Sequence, residues 1–394
     1  MAKPTYQLLQ GDVRDCCRSL PAESVHCVVT SPPYWGLRDY GVPGQMGLER
    51  TPEEYVAGQV EVFREVKRVL RSDGTLWLNL GDTWFTGAGQ CKNPGGRVKR
   101  RVDYDDKRKY LTGGTFPAQQ PNRLPQLGLK PKDLVGIPWR VAFALQADGW
   151  YLRDCIIWHK TNPMPGSMRD RTCTSHEYVF LLSRSRRYYF DQIAISEKAV
   201  SGNRNSQFAS GKTGVSQHRC STKPRDDNEM RNPRSVWRIS SRSYKEAHFA
   251  TFPEALPARC IKAGTSDHGV CCECGAPWKR ITRKTRVPTR PGTNSKVNRA
   301  SAHADSPFEQ HHGTIVGNRD PERHITRVET VGWEPSCVCG AEVRPATVLD
   351  PYNGAGTTGL AGMKLGRDYI GLELNPDYIA MTEKRFSVFS ELLF

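Results

Sequence analysis

The fold is indicated most clearly by the stretch VLDPYNGAGTT, residues 348–358. A short apolar strand ends at Asp350, and a Gly-x-Gly turn at Gly354 and Gly356 leads into a predicted helix. Glycine allows a ligand to approach the backbone closely, and a helix N-terminus offers free N–H groups and positive potential. The stretch therefore predicts a strand, a ligand-binding turn and a helix, in that order.

An acidic residue also ends the next predicted strand, where Glu373 follows Tyr369–Leu372. A carboxylate at this place can accept hydrogen bonds from both ribose hydroxyls of a nucleoside cofactor. The spacing of Gly354, Gly356 and Gly359 also matches the fingerprint of dinucleotide-binding enzymes, so the spacing alone leaves NAD open as a ligand.

Strand and helix signals alternate along the chain. Thr51 has the character of an N-cap, and Glu54 completes a capping box with it. Alternation of this kind predicts an α/β fold built on a doubly wound, mostly parallel sheet. Strands are predicted at Tyr6–Leu9, Val25–Val29, 76–80, Tyr151–Trp158, Glu177–Leu182, Tyr188–Phe190, Thr347–Leu349 and Tyr369–Leu372, and helices from Pro52 to the Asp73-Gly74 stop and at Ile137–Leu145, Thr358–Lys364 and Pro376–Phe386.

Three further motifs accompany the glycine-rich turn: TSPPYW at residues 30–35, HFATFP at 248–253 and IGLELN at 370–375. With DPYNGAGTT at 350–358 they resemble the motifs of amino-group-specific DNA methyltransferases. The order, with the catalytic motif first and the cofactor loop last, resembles the β-group of these enzymes. The resemblance implies a circularly permuted S-adenosylmethionine-dependent methyltransferase fold. The presence of the other motifs in the same chain counts against NAD as the ligand.

The resemblance implies S-adenosyl-L-methionine as the cofactor and names the residues that bind it. Phe252 and Pro253 are expected to border the methionine tail, and Asp350 to bind its ammonium side. Glu373 is expected at the ribose, and Asp12 near the adenine ring. The full set of expected cofactor-binding residues is Asp12, Phe252, Pro253, Asp350, Tyr352, Gly354, Gly356, Thr357, Thr358, Glu373 and Asn375.

The resemblance assigns catalysis to Ser31, Pro32, Pro33 and Tyr34. The lone pair of an exocyclic amino nitrogen is delocalised into the ring of the base. A hydroxyl on Ser31 and the carbonyl of Pro32 can accept the two amino hydrogens and hold the nitrogen for attack on the methyl group. The prolines shape the loop, and Tyr34 offers a ring on which a flipped base can stack.

The identity of the target base rests on the first residue of this motif. Serine before Pro-Pro usually accompanies cytosine-N4 methylation in the family, and adenine-N6 stays the alternative. The chain has no Pro-Cys dipeptide, which counts against methylation at carbon 5 of cytosine. The segments WHKTNP at 158–163 and HEYVF at 176–180 also resemble the family, which makes Trp158 and Lys160 candidates for the pocket of the flipped base.

The charge indicates a polyanionic partner. The formal net charge is +16, and basic residues concentrate in stretches 87–131, 201–234 and 279–327. Each stretch is a candidate either for phosphate contact or for a solvated surface. Double-stranded DNA is the expected partner, although charge does not distinguish DNA from RNA.

The domain organisation follows from these motifs. Residues 1–200 are expected to form the catalytic half of the methyltransferase domain, with the basic insertion 87–131, and 201–240 a basic linker. Residues 241–394 are expected to form the cofactor-binding half, interrupted by the cysteine-rich insertion 268–342.

Four of the 13 cysteines stand in close pairs that are each followed by glycine. The pairs Cys271-x-x-Cys274 and Cys337-x-Cys339 resemble zinc knuckles, because four thiolates complete a tetrahedral structural site. Cys272 is an alternative to Cys271 at a less usual spacing. If the four cysteines bind no metal, they are expected to be unpaired thiols.

The segment at Met1–Asp12 lacks the apolar run of a signal peptide, and no run is long enough to span a membrane. We therefore expect a cytoplasmic protein with reduced cysteines and no membrane partner. The alternatives to a DNA amino-methyltransferase are an enzyme of the same fold with another substrate and a non-catalytic DNA-binding derivative. No nuclease motif stands out, so we expect a separate modification enzyme that is either paired with a cognate restriction endonuclease or an orphan. The recognition sequence and the oligomeric state stay open.

Overall fold

The computed structural model describes residues 3–86, 121–123, 128–198, 230–241, 251–288 and 324–392. Most of each predicted basic stretch lies outside the described residues, as do positions 248–250 of the predicted methionine motif. The described residues belong to two compact units. The larger comprises residues up to Ile195, Arg234–Lys279 and those from Glu334 onward, and the smaller comprises Ser196–Pro233 and Arg280–Trp333.

The described residues contain the following strands and helices. The strands are β1 (Tyr6–Gln10), β2 (Val25–Thr30), β3 (Leu70–Leu80), β4 (Tyr151–His159), β5 (His176–Ser183), β6 (Glu197–Lys198), β7 (Met230–Arg231), β8 (Val236–Arg238), β9 (Val270–Cys271), β10 (Lys279–Pro288), β11 (His324–Glu334), β12 (Val343–Arg344), β13 (Thr347–Asp350) and β14 (Asp368–Glu373). The helices are α1 (Val13–Ser19), α2 (Pro52–Val69), α3 (Ile137–Ala147), α4 (Ala255–Gly264), α5 (Thr357–Lys364) and α6 (Pro376–Leu392).

The larger unit is built on an eight-stranded sheet with the order β1-β14-β13-β2-β3-β5-β4-β8. Neighbouring strands pair in parallel from β1 to β3. Strand β5 runs antiparallel to both β3 and β4, and β4 pairs in parallel with β8. The predicted doubly wound, mostly parallel α/β sheet is therefore confirmed.

Helices cover both faces of this sheet. Residues of β2 are buried on both sides, as expected for a central parallel strand. Val28 joins one core with Phe63 and Val66 of α2, and Val29 joins the other with Ile261 of α4. The side chains of successive residues point to opposite faces of a strand, so two hydrophobic cores share one sheet.

The start of α2 agrees with the predicted capping box. The Thr51 hydroxyl accepts from the Glu54 N–H at 3.1 Å, and the Glu54 carboxylate accepts from the Thr51 N–H at 3.3 Å. The predicted end at Asp73-Gly74 was wrong, because α2 ends at Val69 and β3 begins at once. A Cβ on Gly74 would lie 2.5 Å from the Leu70 side chain, so the close packing at the start of β3 requires glycine at this position.

The extended return predicted at Tyr188–Phe190 is also absent as a strand, although this segment is described. Its backbone bonds go elsewhere: the Tyr189 N–H donates to the Asp73 carbonyl at 2.8 Å, and the Asp191 N–H donates to the Ala263 carbonyl at 2.8 Å. The segment therefore ties the sheet to α4 without joining a ladder.

The smaller unit contains two two-stranded ribbons. In one, β6 pairs antiparallel with β7, and in the other β10 pairs with β11. In the second ribbon the Arg280 guanidinium lies 4.3 Å from the ring centre of Trp333 and donates to the Thr330 hydroxyl at 2.9 Å. Among the described residues of both units, no helix is long and apolar enough to cross a membrane.

The capping box gives a test of the local argument. We expect Thr51→Ala to lower the free energy of unfolding by about 1 kcal/mol, because the Glu54 N–H loses its acceptor. Urea denaturation measures the change. The control is Ser387→Ala on α6, whose hydroxyl donates to the Lys384 carbonyl within the same helix and should matter by less than about 0.5 kcal/mol. Equal effects of both substitutions would contradict the capping argument.

Candidate active site

A cavity of about 750 Å³ opens at the carboxyl edge of the sheet, where β1, β2, β13 and β14 end. In open α/β sheets this edge is where ligands bind. Most of the predicted site residues line the cavity: Asp12, Ser31, Pro32, Pro33, Tyr34, Phe252, Asp350, Tyr352, Gly354, Thr357, Glu373 and Asn375. The remaining three, Pro253, Gly356 and Thr358, lie outside its lining.

The carboxylate of Asp350 is buried at the end of β13 and is held from both neighbouring elements. One oxygen accepts from the Thr30 hydroxyl of β2 at 2.7 Å and from the Tyr352 N–H at 3.1 Å. The other accepts from the Thr358 hydroxyl of α5 at 2.7 Å. Burial raises the pKa of Asp350 to about 6, against the lowering effect of these donors. Asp350 thus fixes the loop that follows it, and its three donors leave about one acceptor position free on the carboxylate.

The glycine-rich turn takes the left-handed backbone that its sequence allows. Gly354 and Gly356 have φ angles of 52° and 71°. A Cβ on Gly356 would lie 2.5 Å from the Thr382 side chain, so α6 packs directly against the turn. The buried amide of Asn353 donates to the Thr382 hydroxyl at 2.9 Å and accepts from the Tyr369 hydroxyl at 2.7 Å. Contacts with α6 and β14 therefore fix the turn, and Gly354 of the turn lines the cavity.

Glu373 ends β14 and braces the same turn. Its carboxylate accepts from the Gly354 N–H at 2.8 Å and from the Asn375 N–H at 2.9 Å. Burial raises its pKa above the ordinary value. A carboxylate offers about four acceptor positions, so Glu373 keeps two for the hydroxyls of a ribose. This donor set fits the sugar of a nucleoside cofactor.

Asp12 lies at the N-terminus of α1, after the end of β1. It accepts from the Arg14 N–H at 2.8 Å and from the Arg14 guanidinium at 2.9 Å, which lowers its pKa. The Gly11 N–H donates to the Glu373 carbonyl at 3.0 Å. Asp12, which follows β1, and Glu373, which ends β14, therefore lie at the ends of two adjacent strands, on the side of the cavity expected to hold the nucleoside.

The other cofactor residues contact their neighbours as follows. The Tyr352 hydroxyl lies 3.1 Å from the Met46 sulfur. Phe252 is half-buried at the cavity wall, and Pro253 is buried behind it at the start of α4. The Thr357 hydroxyl accepts from Arg385 at 3.0 Å.

The serine-containing loop follows β2 and enters the cavity beside the glycine-rich turn. The Tyr55 hydroxyl of α2 donates to the Pro33 carbonyl at 2.8 Å. The ring of Tyr34 packs against Gly81, where an added Cβ would lie 2.5 Å from it. Gly81 thus makes room for Tyr34, and the loop is supported on one side by α2 and on the other by β3.

A chain of hydrogen bonds starts at the hydroxyl of Ser31. It donates to the Tyr34 hydroxyl at 3.3 Å, and Tyr34 donates to the Glu177 carboxylate at 2.8 Å. Burial, followed by the charge of Glu177, raises the pKa of Tyr34 well above its usual value, so the phenol stays protonated. The Ser31 hydrogen is directed at the Tyr34 hydroxyl, so the lone pairs of the Ser31 oxygen stay available to an incoming donor.

Comparison with known proteins gives the family. A profile of the DNA methylase family that includes N6- and N4-specific methyltransferases matches residues 25–272 and 301–384, which is most of the chain. The chain is a DNA methylase of the N6/N4 family.

Whole-length relatives agree with this assignment. The methylase is 36% identical to the Type II methyltransferase M.SmaI of Serratia marcescens over 379 residues, covering 96% of this chain and 90% of the relative. It is 34% identical to the Type II methyltransferase M.Cfr9I of Citrobacter freundii, covering 96% of this chain and 86% of that protein.

A solved structure shares the fold. The PvuII DNA methyltransferase, which is cytosine-N4-specific, superposes with a TM-score of 0.51 at 15% identity. The match covers 98% of this methylase and 87% of that chain. At this identity the likeness concerns the fold, and it confirms the methyltransferase architecture expected from the motifs.

Several residues of the cavity carry roles that the sequence motifs did not reveal. Thr30 binds Asp350, Asn79 faces Tyr34 with its amide oxygen at 3.3 Å, and Glu177 accepts from Tyr34. A polar residue at the end of an apolar strand was the available signal for Thr30 and Asn79. For Glu177 the signal was a carboxylate at the start of the apolar strand β5.

The two candidates for the base pocket lie beside Glu177. Lys160 forms an ion pair with the Glu177 carboxylate, and its ammonium lies 4.9 Å from the ring centre of Trp158. Trp158 is buried and donates to the Ile239 carbonyl at 2.9 Å. Both side chains line the cavity on the side of the serine loop.

The four predicted metal ligands converge at the opposite edge of the sheet. The sulfur atoms of Cys271, Cys274, Cys337 and Cys339 all lie within 4.8 Å of one another. The Cys274 carbonyl accepts from Arg71 at 2.6 Å, near the start of β3. These four sulfurs therefore form a compact group far along the strands from Ser31.

The buried carboxylate of Asp350 predicts a pH dependence of stability. Its pKa of about 6 exceeds the ordinary value of 3.8, so the folded state binds more protons than the unfolded state between these values. Stability from this group is present at low pH and declines as the pH rises through the window. Relative to Asp350→Asn, the wild type should lose roughly 2 kcal/mol of unfolding free energy between about pH 4 and pH 6.

Urea denaturation of both proteins across this pH range measures the difference. The Asp350→Asn variant serves as the background for the wild type, because the two proteins share all other titrating groups. A difference between wild type and Asp350→Asn that does not change with pH would contradict the assignment.

Proposed function

We propose that this methylase transfers a methyl group from S-adenosyl-L-methionine to the exocyclic N4 of cytosine in duplex DNA. The observation that carries the proposal is the orientation of Ser31. Its hydroxyl hydrogen is given to Tyr34, so its oxygen can accept a hydrogen from an amino group in the cavity. The sequence resemblance predicts this role, and the geometry is consistent with it.

The proposed arrangement of the reactants follows from the two halves of the cavity. The turn at Gly354, with Glu373 and Asp12, is proposed to hold the nucleoside of the cofactor. Phe252 is proposed to border its methionine tail. The bound cofactor supplies an electrophilic methyl group on sulfur. Ser31 and the Pro32 carbonyl are proposed to hold the amino nitrogen so that its lone pair points at that methyl group.

Cytosine is proposed over adenine because serine precedes the two prolines. A hydroxyl at this place usually accompanies cytosine-N4 methylation in the family, and the PvuII enzyme whose fold the methylase shares is cytosine-N4-specific. Lys160 adds a donor at the cavity wall for the ring acceptors that cytosine and adenine both carry, so the choice of cytosine rests on Ser31. A flipped base brings these acceptors into reach.

The partners of the reaction are proposed from the relatives. Both whole-length relatives are Type II methyltransferases, which supports a role in restriction–modification with a cognate endonuclease. The net charge of +16 supports duplex DNA as the substrate.

The test is the identity of the product. Purified enzyme is incubated with duplex DNA and methyl-labelled S-adenosylmethionine, and the digested nucleosides are identified by mass spectrometry. We expect N4-methylcytosine. N6-methyladenine would refute the choice of base, and the absence of any methylated nucleoside would refute the proposed reaction.

The role of Ser31 has its own variant. We expect Ser31→Ala to lower kcat by about 10²–10³-fold, because the amino nitrogen loses an acceptor that acts in the transition state. Ser24→Ala is the control, since the exposed Ser24 hydroxyl donates only to the Pro21 carbonyl at 2.7 Å. Wild-type turnover in Ser31→Ala would contradict the assignment.

We propose a second bound group, one structural Zn²⁺ on the four-cysteine cluster. Tetrahedral zinc with Zn–S bonds of about 2.3 Å places its sulfurs about 3.8 Å apart, which fits the observed group. Gly275 and Gly340, which follow the second cysteine of each pair, have φ angles of 69° and 66°. Both turns take the left-handed conformation that glycine allows, so the two pairs have the same local shape.

The cluster is built into the amino edge of the sheet, which supports a structural role. Strand β9 pairs with β12 through Cys271 and Val343, and β13 follows directly. The Thr347 N–H donates to His26 at 3.0 Å, and the other ring nitrogen of His26 lies 3.2 Å from the Gly275 carbonyl. Burial lowers the pKa of His26 to about 3, so the ring is neutral and donates to that carbonyl.

Zinc content and stability test this proposal together. We expect about one zinc per chain, lost in Cys274→Ser and retained in Cys272→Ser, whose exposed thiol lies outside the group of four. Loss of the metal should lower the melting temperature by more than about 5 °C, because binding energy is folding energy at such sites. Equal zinc content in the two variants would contradict the assignment.

A further inference from the structure

In the proposed reaction the methylated amino nitrogen must lose a proton, and the hydroxyl of Ser31 cannot retain that proton. Once the amino nitrogen has formed its bond to the methyl carbon, it carries a positive charge and must lose one hydrogen. Ser31 lines the cavity, and its hydroxyl is the group proposed to accept a hydrogen from the amino nitrogen. An aliphatic hydroxyl is too weak a base to hold a proton, so the proton must pass through it to another group.

The structure contains such a group at the end of the hydrogen-bond chain. Glu177 accepts from Tyr34 at 2.8 Å, and Tyr34 accepts from Ser31 at 3.3 Å. The donors of this chain all point in one direction, from Ser31 through Tyr34 to Glu177, as a departing proton requires, and Tyr34 and Glu177 themselves line the cavity wall. Asn79 also faces the Tyr34 hydroxyl, at 3.3 Å, but an amide oxygen does not take a proton at neutral pH.

The environment of Glu177 suits a proton acceptor. Its side chain is 16% exposed, and its second oxygen forms an ion pair with Lys160. Glu177 is the second residue of β5, the antiparallel strand of the sheet. Because β5 is reversed, its amino end lies at the edge where the parallel strands end, and the carboxylate reaches the site from there.

We propose that Glu177 orients Ser31 through Tyr34 and takes up the proton that the methylated amino group releases. The inference rests on the proposed transfer to an amino nitrogen. Glu177 is thus a positioning residue for Ser31 and the terminal base of a relay, and its carboxylate lies on the cavity wall beside Lys160.

The step balances as follows. The nitrogen lone pair forms the N–C bond, and the C–S bond breaks with its electron pair remaining on sulfur, which leaves S-adenosylhomocysteine. The nitrogen gives its proton to the Ser31 oxygen while Ser31 gives its own to Tyr34 and Tyr34 gives its own to Glu177. Ser31 and Tyr34 end unchanged, and the carboxylate of Glu177 becomes a carboxylic acid. The high pKa of Tyr34 agrees with a hydroxyl that passes a proton on without ionising.

The test uses Glu177→Gln in the full-length enzyme. The amide oxygen of glutamine still accepts from Tyr34, so Ser31 keeps its orientation, but the amide takes no proton. We expect kcat to fall by about 10²-fold or more, while the KM for DNA and the Kd for S-adenosylmethionine, measured by binding without turnover, stay within about threefold.

The control is Glu65→Gln on α2, where a carboxylate with 23% exposure pairs with Arg68 at 3.2 Å. It repeats the chemical change away from the cavity and should leave kcat and KM unchanged. Tyr34→Phe is the second variant, because it keeps the ring against Gly81 and removes the hydroxyl that links Ser31 to Glu177. We expect it to match the loss of kcat in Glu177→Gln.

The outcomes separate this inference from the proposed function. If wild-type enzyme methylates an amino group and both variants turn over at the wild-type rate, the relay is wrong and the function stands. If Glu177→Gln loses DNA or cofactor binding in proportion to kcat, Glu177 acts in binding and the relay is wrong. If the wild type makes no amino-methylated product, the proposed function itself fails.

Discussion

The buried carboxylate of Asp350 is the interaction on which the candidate site depends. It joins β13, β2 and α5 by hydrogen bonds to Thr30 and Thr358, each at 2.7 Å. The loop after β2 carries Ser31, and the turn after β13 carries Gly354. One carboxylate therefore sets the separation between the catalytic loop and the cofactor turn. Burial raises the pKa of Asp350 and so opposes its ionisation. The hydrogen bonds from Thr30, Thr358 and Tyr352 stabilise the charged form.

The sequence predicted the parts of this site that follow from local chemistry. Asp350, Gly354 and Gly356 lie where the motif indicated, because a strand, a left-handed turn and a helix start each need particular residues at particular positions. The sheet class followed from the alternation of strand and helix signals. The residues that bind the cofactor and the zinc stay predictions, since their positions are consistent with the roles but do not test them.

Other features could not be read from the sequence because they depend on distant contacts. The end of α2 at Val69 is set by the pairing of β3 with β2 and by the packing of Gly74 on Leu70, neither of which leaves a local signal. The segment at Tyr188–Phe190 has strand-like residues but finds its backbone partners in a loop and a helix. Glu177 reaches Tyr34 across 143 positions of chain, and only the reversal of β5 brings them together.

The two ends of the sheet have separate tasks. The carboxyl edge holds the cavity, and the amino edge holds the cysteine group through His26 and Arg71. The chain between Cys274 and Cys337 leaves and returns at the amino edge, where no proposed reacting group lies. Segments can therefore be lengthened or exchanged there without moving Ser31 or Glu177. For protein engineering, this makes the stretch between the cysteine pairs a graft site, at which a sequence-reading module could be added to direct methylation to a chosen place on DNA.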